Sequence, residues 1–329
     1  MGNRAAIAFI SSLFLAVTFG TGCTLAREGD EAAVKALRPA AFYDAVFVGH
    51  LENRNITEAS GMVASRKNPG VLWIANDGGS EPVLYAIDLQ GAHIGRVTIR
   101  NAQNIDWEDL AAFHIDHSAT LLIADFGDNH ARRKEYQLYF VNEPDISEKP
   151  DRFDFAVDWH RRVRFVYEDG PRDSEAVAVD TDNNQILLLT KRTVPSVLYS
   201  LPLRAENSQA VMVARRFSVV ADMLPSPGAG VRFNRLGSQP TAMDISPDGS
   251  EIAILTYGSG GYLYRRPAQL GWADGFKMPP EWIGMPALRQ AEALCFTADG
   301  RSLVVTSEQL PAPLYRLDRH SSFQRQGAP

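Results

Sequence analysis

Two short stretches concentrate oxygen ligands: Asp106-Trp107-Glu108-Asp109-Leu110 and, one hairpin later, Asp125-Phe126-Gly127-Asp128-Asn129. Carboxylates, a carboxamide and an indole stand there between apolar runs. An unpaired carboxylate beside a buried strand is expensive, so these groups need protons, cationic partners or a metal. Three chemistries suit them. A Ca²⁺ ion takes about six to eight oxygens from carboxylates and carboxamides. Lys191 and Arg192 can neutralise the acids internally. A cationic or hydroxyl-rich ligand can be held directly, with Trp107 or Tyr257 stacking on it.

Other chemistries lack their residues. No Gly-x-Ser-x-Gly elbow and no phosphate-cradling Gly-rich loop occurs in the sequence. His114 and His117 lie three apart but flank a hairpin turn, and His160 adjoins Arg161-Arg162, so all three read as solvent-facing. Cys295, inside Ala293-Leu294-Cys295-Phe296, reads as a buried thiol. The net charge of -6 offers no basic stripe for nucleic acid. At 329 residues, 45% hydrophobic and 22% charged, the composition is that of a globular protein.

The elements that position the acids repeat along the chain. Each repeat opens with a short apolar strand led by a polar residue: Ser60-Gly61-Met62-Val63, Glu108-Asp109-Leu110-Ala111, Glu175-Ala176-Val177-Ala178, Thr241-Ala242-Met243-Asp244 and Glu292-Ala293-Leu294-Cys295. About a dozen residues on comes a second apolar run, at Leu72–Ala75, Leu121–Ala124, Leu187–Thr190, Ala253–Thr256 and Leu303–Thr306, and then a Leu-Tyr pair at 84, 138, 198, 263 and 314. Asp182-Asn183-Asn184, Pro247-Asp248-Gly249 and Ala298-Asp299-Gly300 are hairpin turns between the first two strands. A variable fourth strand follows at 94–99, 163–167, 211–220 and 282–283; the last unit lacks one, and Ala45–His50 is placed to supply it. The pattern predicts an all-β fold: a β-propeller of four-stranded antiparallel blades, five counted and six allowed for, closed by an N-terminal strand. The insertions 145–158 and 221–238 read as loops over a rim.

In such a ring, the start of the first strand and the end of the second meet on one face near the axis. That brings together Ser60, Glu108, Glu175, Thr241 and Glu292. Two residues earlier, and on the same side by strand alternation, come Glu58, Asp106, Asp173, Gln239 and Gln290. The second-strand ends add Asn76-Asp77, Asp125 with Asp128-Asn129, Lys191-Arg192, Tyr257 and Ser307-Glu308. Two carboxylates about 4 Å apart repel by roughly 4 kcal/mol at an effective dielectric of about 20, so this rim is a candidate ligand or metal site. Blade two, with Asp125, Asp128 and Asn129, is its most oxygen-rich sector, whereas Asp109 faces the other way and reads as structural.

Ahead of the propeller, Arg4 and the apolar Ala5–Phe19 form an export signal over residues 1–22. Gly20-Thr21-Gly22-Cys23 resembles a lipobox, which makes Cys23 the lipidation site, with Gly20 standing where Leu is usual. Thr24 after the cysteine suits a bacterial outer-membrane lipoprotein, facing the periplasm if the signal is simply cleaved. Residues 23–42 read as a tether, with one propeller domain over 43–329. The expected partners are the membrane, through the lipid, and a small-molecule or protein ligand.

With these residues laid out, the chain resembles the exported Glu-rich propellers that include esterase-like phytases, gluconolactonase-like lactonases and paraoxonases. The likeness rests on the Glu-led starts at Glu108, Glu175 and Glu292 and on the Pro-Asp-Gly-type hairpins. Closer still is a subgroup of bacterial lipoproteins with Trp-x-x-Asn-Asp, Asp-Trp-Glu-Asp and Gly-Asp-Asn motifs, here Trp73–Asp77, Asp106–Asp109 and Gly127–Asn129, which brings no activity of its own. The resemblance implies Ca²⁺ held by Glu108, Glu175 and Glu292, completed by Asn76, Asp128 or Asn129, and polarising an ester carbonyl. Two features depart from it. Those relatives have six blades, and their histidine base has no matching residue on this face. The reading is therefore a binding propeller, with Ca²⁺-dependent hydrolysis of esters, lactones or phosphoesters as the alternative.

Overall fold

The computed structural model describes residues 38–39, 45–204, 210–220, 237–258, 260–267, 269–308 and 310–320. The export signal, Cys23 and the rim insertion at 221–236 lie outside the described residues. Leu37–Pro329 forms one compact unit. Two short strands come first, β1 (Arg38–Pro39) and β2 (Val46–His50).

The blades follow in chain order. Blade I is β3 (Ala59–Ala64), β4 (Val71–Asn76), β5 (Val83–Asp88) and β6 (His93–Arg100). Blade II is β7 (Trp107–Ile115), β8 (Ser118–Asp125), β9 (Tyr136–Asn142), then, past β10 (Phe153–Asp158), β11 (Arg161–Tyr167). Blade III is β12 (Ser174–Asp180), β13 (Gln185–Thr190), β14 (Ser196–Pro202) and β15 (Met212–Val220). Blade IV is β16 (Pro240–Ile245), β17 (Glu251–Thr256), β18 (Gly261–Arg265) and β19 (Glu281–Ile283), with a short helix α1 (Trp272–Gly275) before its last strand. Blade V is β20 (Ala291–Phe296), β21 (Ser302–Ser307) and β22 (Pro313–Asp318), and β2 completes it as the outermost strand. The chain is a β-propeller closed by its N-terminal strand, with five blades among the described residues.

Packing explains why the ring shuts at five. The buried apolar residues fall into five clusters, one in each seam between neighbouring blades, including the seam of V with I, where Cys295 and Val304 meet Met62 and Ile74. Each innermost strand lies beside the next, and β20 beside β3. No gap is left for a sixth blade between them. Polar staples add to the seams. Glu143, after β9, accepts from Trp73 Nε1 (2.9 Å) and Asn68 Nδ2 (3.2 Å) of blade I. Asp109 Oδ2 accepts the backbone N–H groups of Val177 (2.8 Å) and Met243 (3.3 Å), tying β7 to β12 and β16. That is the structural part expected of Asp109.

Two expectations change. Residues 145–158 are not only a loop: β10 pairs in parallel with β6, adding a fifth strand that covers the edge of blade I. Alternating Phe153, Phe155 and Val157 supply its apolar face, packed on the blade I–II cluster. Within the expected tether, Arg38–Pro39 pairs in parallel with β19 of blade IV. The outer strands β11 and β15 also pair in parallel and join blades II and III into one eight-stranded sheet. Among the described residues no helix is long and apolar enough to cross a membrane.

Candidate functional site

One backbone device, repeated five times, builds the mouth of the channel. In every innermost strand the register slips by one residue near its start, at Ser60-Gly61, Glu108, Glu175, Thr241 and Glu292. Each slip is a β-bulge, which re-aims its side chain. The side chains that lead the apolar strands in sequence are thus the ones the bulges turn. A second repeated contact fixes the neighbours: Asp77 N donates to Glu58 O (2.9 Å), Phe126 N to Asp106 O (3.1 Å), Lys191 N to Asp173 O (3.0 Å), Tyr257 N to Gln239 O (2.8 Å) and Glu308 N to Gln290 O (3.1 Å). Equivalent positions in the five blades are therefore Asp77, Phe126, Lys191, Tyr257 and Glu308.

Blades III to V make a neutralised sector. The Lys191 ammonium ion-pairs with Glu175, lies 3.9 Å from Glu292 Oε1 and sits 5.4 Å from the centre of the Tyr257 ring. Burial disfavours its charge, but Glu175 and Glu292 outweigh that and raise its pKa. Glu175 is raised first by burial, against the pull of Lys191. Glu292, with a side chain 5% exposed, makes no hydrogen bond among the described residues, and burial raises its pKa well above the carboxylate range. Glu308, half-buried, accepts from Gln290 and is raised by burial and then by Asp77 and Glu58. Arg192 pairs with Asp173 at 2.5 Å and also bonds Asn129.

Blades I and II make the opposite sector. Carboxylate oxygens of Asp77, Asp106 and Glu108 all lie within 4.8 Å of one another. Among the described residues, no Lys or Arg ion pair reaches any of the three. Ser60 Oγ donates to the Glu108 carbonyl (2.7 Å) and carboxylate (3.3 Å), and Gly78 N donates to Asp77. Among the described residues the Asp106 carboxylate accepts no hydrogen bond; burial and then Asp77 raise its pKa to about 6. Glu108 is fully buried and raised well above its ordinary range by burial, then by Glu175, Asp77 and Asp106. Asp77 is raised, again chiefly by burial. Two glycines leave space for these groups. A Cβ on Gly127 would stand 2.1 Å from Glu108 Oε1 and 2.6 Å from Asp106 Oδ2, and one on Gly78 would stand 2.3 Å from Asp106 Oδ1.

The structure brings Glu58, Ser60, Asp77, Asp106, Glu108, Asp173, Glu175, Lys191, Arg192, Tyr257, Glu292 and Glu308 to this mouth. Several other residues are engaged elsewhere. Asn76 donates to Asn55 O (2.7 Å) and accepts from Glu58 N (3.4 Å), so both ends of its carboxamide serve the backbone. Asp125 is fully buried, paired with Arg133 (2.9 Å), and accepts from Gln137 (2.8 Å) and Asp106 N (3.1 Å); Phe126 takes its expected place. Asp128 holds its own loop by accepting from Arg132 N and Arg133 N (both 2.8 Å) and from Tyr136 (2.9 Å); these bonds outweigh burial and lower its pKa. Asn129 is exposed and bound to Arg192. Trp107 is buried in the blade I–II seam with its Nε1 on Gln103 O (3.0 Å), so it offers no stacking surface, while Tyr257 stays half-exposed.

Other residues escaped the sequence reading. Gly78, Arg133 and Gln137 shape the second sector without being acids. The doublet Gly78-Gly79 after Asp77 was a signal for the first. His130 is exposed in the loop after β8. His114, His117 and His160 are exposed, and Cys295 is buried with its thiol pushed up by burial.

No family profile matches this chain, and no curated protein matches its sequence. Among solved structures it is similar to a chain of the nidogen/laminin complex (TM-score 0.42, 14% identity, 76% of this chain and 72% of that one covered). It is also similar to the hydrazine synthase of Kuenenia stuttgartiensis (0.40, 12%, 80% and 72%) and to the WD40 repeats of RRP9 (0.39, 11%, 80% and 67%). At such identities the likeness concerns architecture alone, and no function is carried across.

Proposed function

We propose that this propeller is a binding domain whose mouth takes Ca²⁺ on Asp77, Asp106 and Glu108, and that it works as an exported lipoprotein anchored through Cys23. The observation that carries the ion is the juxtaposition of three carboxylates within 4.8 Å, with no Lys or Arg ion pair to them among the described residues. Hard oxygen donors suit a hard cation, and Gly78 and Gly127 hold open the space where the donors meet. The bound ion would supply charge to offset three carboxylates that burial otherwise protonates. The ligand set therefore keeps Glu108 from the resemblance but exchanges Glu175 and Glu292, which face Lys191, for Asp77 and Asp106.

Elemental analysis of the purified domain tests this directly. The expected result is about one Ca²⁺ per chain, and a melting temperature that falls in chelator by several degrees. Gly127→Ala should abolish both, because its new methyl overlaps the Glu108 and Asp106 carboxylates. Metal-free protein with an unchanged melt in chelator would remove the reading. A second reading is Ca²⁺-dependent hydrolysis of esters, lactones or phosphoesters, with His130, exposed in the loop after β8, as its candidate base. Turnover of an activated ester that is lost in both Glu108→Gln and His130→Ala would favour it over simple binding.

A further inference from the structure

The mouth has more than its acids. Three of the exposed large apolar side chains stand on its loops: Ile105 directly before Asp106, Val194 three residues after Lys191, and Leu310 two residues after Glu308. These loops belong to blades II, III and V, so the apolar groups are spread around the acidic centre and are not gathered on one side. Inside this collar, Glu292 is nine-tenths buried and ion-pairs with Lys191 at 3.9 Å, and among the described residues its carboxylate accepts no hydrogen bond. It lies next to Glu308 and the half-exposed Tyr257 ring. Two carboxylates and an aromatic face are the partners an ammonium or guanidinium group takes. Lys191 already uses that chemistry from within, against Glu175 and Tyr257. Among the described residues the mouth gathers eight carboxylates against Lys191, Arg192 and, behind Asp106, Arg133, so acids outnumber cations there.

We propose that this face docks an extended basic segment of a partner protein: one lysine or arginine side chain enters beside Tyr257 between Glu292 and Glu308, and flanking apolar side chains lie on Leu310, Val194 and Ile105. Charge complementarity selects the sign of the partner, and the collar selects a chain over a free amine. The proposal rests on the mouth being a binding site, as above, but not on the ion.

The test is fluorescence anisotropy on the intact domain with a labelled peptide alternating leucine and lysine, with Ca²⁺ and in chelator. Binding is expected in both conditions and should weaken as salt rises. A leucine–glutamate peptide should not bind, and a serine–lysine peptide should bind at least about tenfold more weakly. Glu292→Gln, assayed well below its own melting temperature, and separately the triple change Ile105→Ser, Val194→Ser and Leu310→Ser, with its melt unchanged, should each weaken binding by about tenfold or more. Equal binding of the acidic peptide, parent-like binding by both variants, or cadaverine competing as tightly as the peptide would overturn the proposal. So would no leucine–lysine binding up to about millimolar concentration. Peptide binding by a domain shown to be metal-free would refute the ion alone, and metal without peptide binding would refute the docking alone.

Discussion

The two sectors of the mouth start from the same element and end in opposite electrostatic states. Glu108 and Glu175 are both bulge residues, both buried, and both led by an aspartate two residues earlier. What separates them is the residue that the neighbouring second strand delivers. Blade III ends in Lys191-Arg192, which pair with Glu175 and Asp173. Blades I and II end in Asp77 and in Phe126, whose ring packs into the blade II–III core, so Glu108 and Asp106 meet another acid, and among the described residues Lys191 and Arg133 act on them only from beyond ion-pair distance. The β-bulge aims a side chain; its partner decides what the side chain becomes. A repeated scaffold can thus hold a self-neutralised sector and an ion-accepting one side by side.

The largest expected effect breaks the neutralised sector. Lys191→Met leaves Glu175 and Glu292 buried without their ammonium. Removing one partner of a buried pair costs about 3–5 kcal/mol, which should appear near neutral pH as a loss measured by denaturant unfolding. Because the orphaned acids then need protons, the loss should shrink as pH is lowered. A Lys191→Met domain as stable as its parent at pH about 8 would show that the lysine does not carry the neutralisation assigned to it.

The contrast also marks how far the sequence could be read. Strand order, the five blades and closure by Ala45–His50 were legible because apolar runs, Leu-Tyr pairs and Asp-Gly hairpins repeat in register. The polar leaders of the first strands were legible as a converging set for the same reason. Their pairing was not. Whether Asp125 or Phe126 takes the position equivalent to Asp77 and Lys191 depends on where β8 stops pairing, a one-residue matter that apolar periodicity does not resolve. Asn76 and Asp128 look like ligands by residue type, but in folded protein they cap backbone N–H groups, an equally common use of the same side chains. The strand at Phe153–Asp158 was hidden because its partner β6 lies in another blade, and parallel long-range pairing leaves no hairpin signature.

The ion-accepting sector should respond with the opposite sign. Asp106 and Glu108 have folded pKa values above their ordinary ones, so the folded state holds more protons than the unfolded one in the window above the ordinary carboxylate range. Without Ca²⁺, stability should therefore be highest at low pH in this window and fall as pH rises through about 6 for Asp106. Glu108→Gln removes a buried charge and should stabilise the metal-free domain at pH about 8 by roughly 1–3 kcal/mol while abolishing its gain in Ca²⁺. If the variant is destabilised without metal, the two sectors do not differ as described.

The smallest effect belongs to the outer guard of the neutralised sector. Arg192 pairs with Asp173, yet its side chain is 42% exposed. Water screens such a pair, and holding a long side chain in place costs entropy, so exposed pairs contribute about 0–1 kcal/mol. Arg192→Ala should accordingly shift unfolding by less than about 1 kcal/mol, and less again in high salt. Asp173 would keep its bond from Asp128 N (2.9 Å), which anchors the loop without the guanidinium. A loss matching that of Lys191→Met would mean that neutralisation is shared equally by the two cations, and the sector would then be a surface network and not a buried pair with an outer guard.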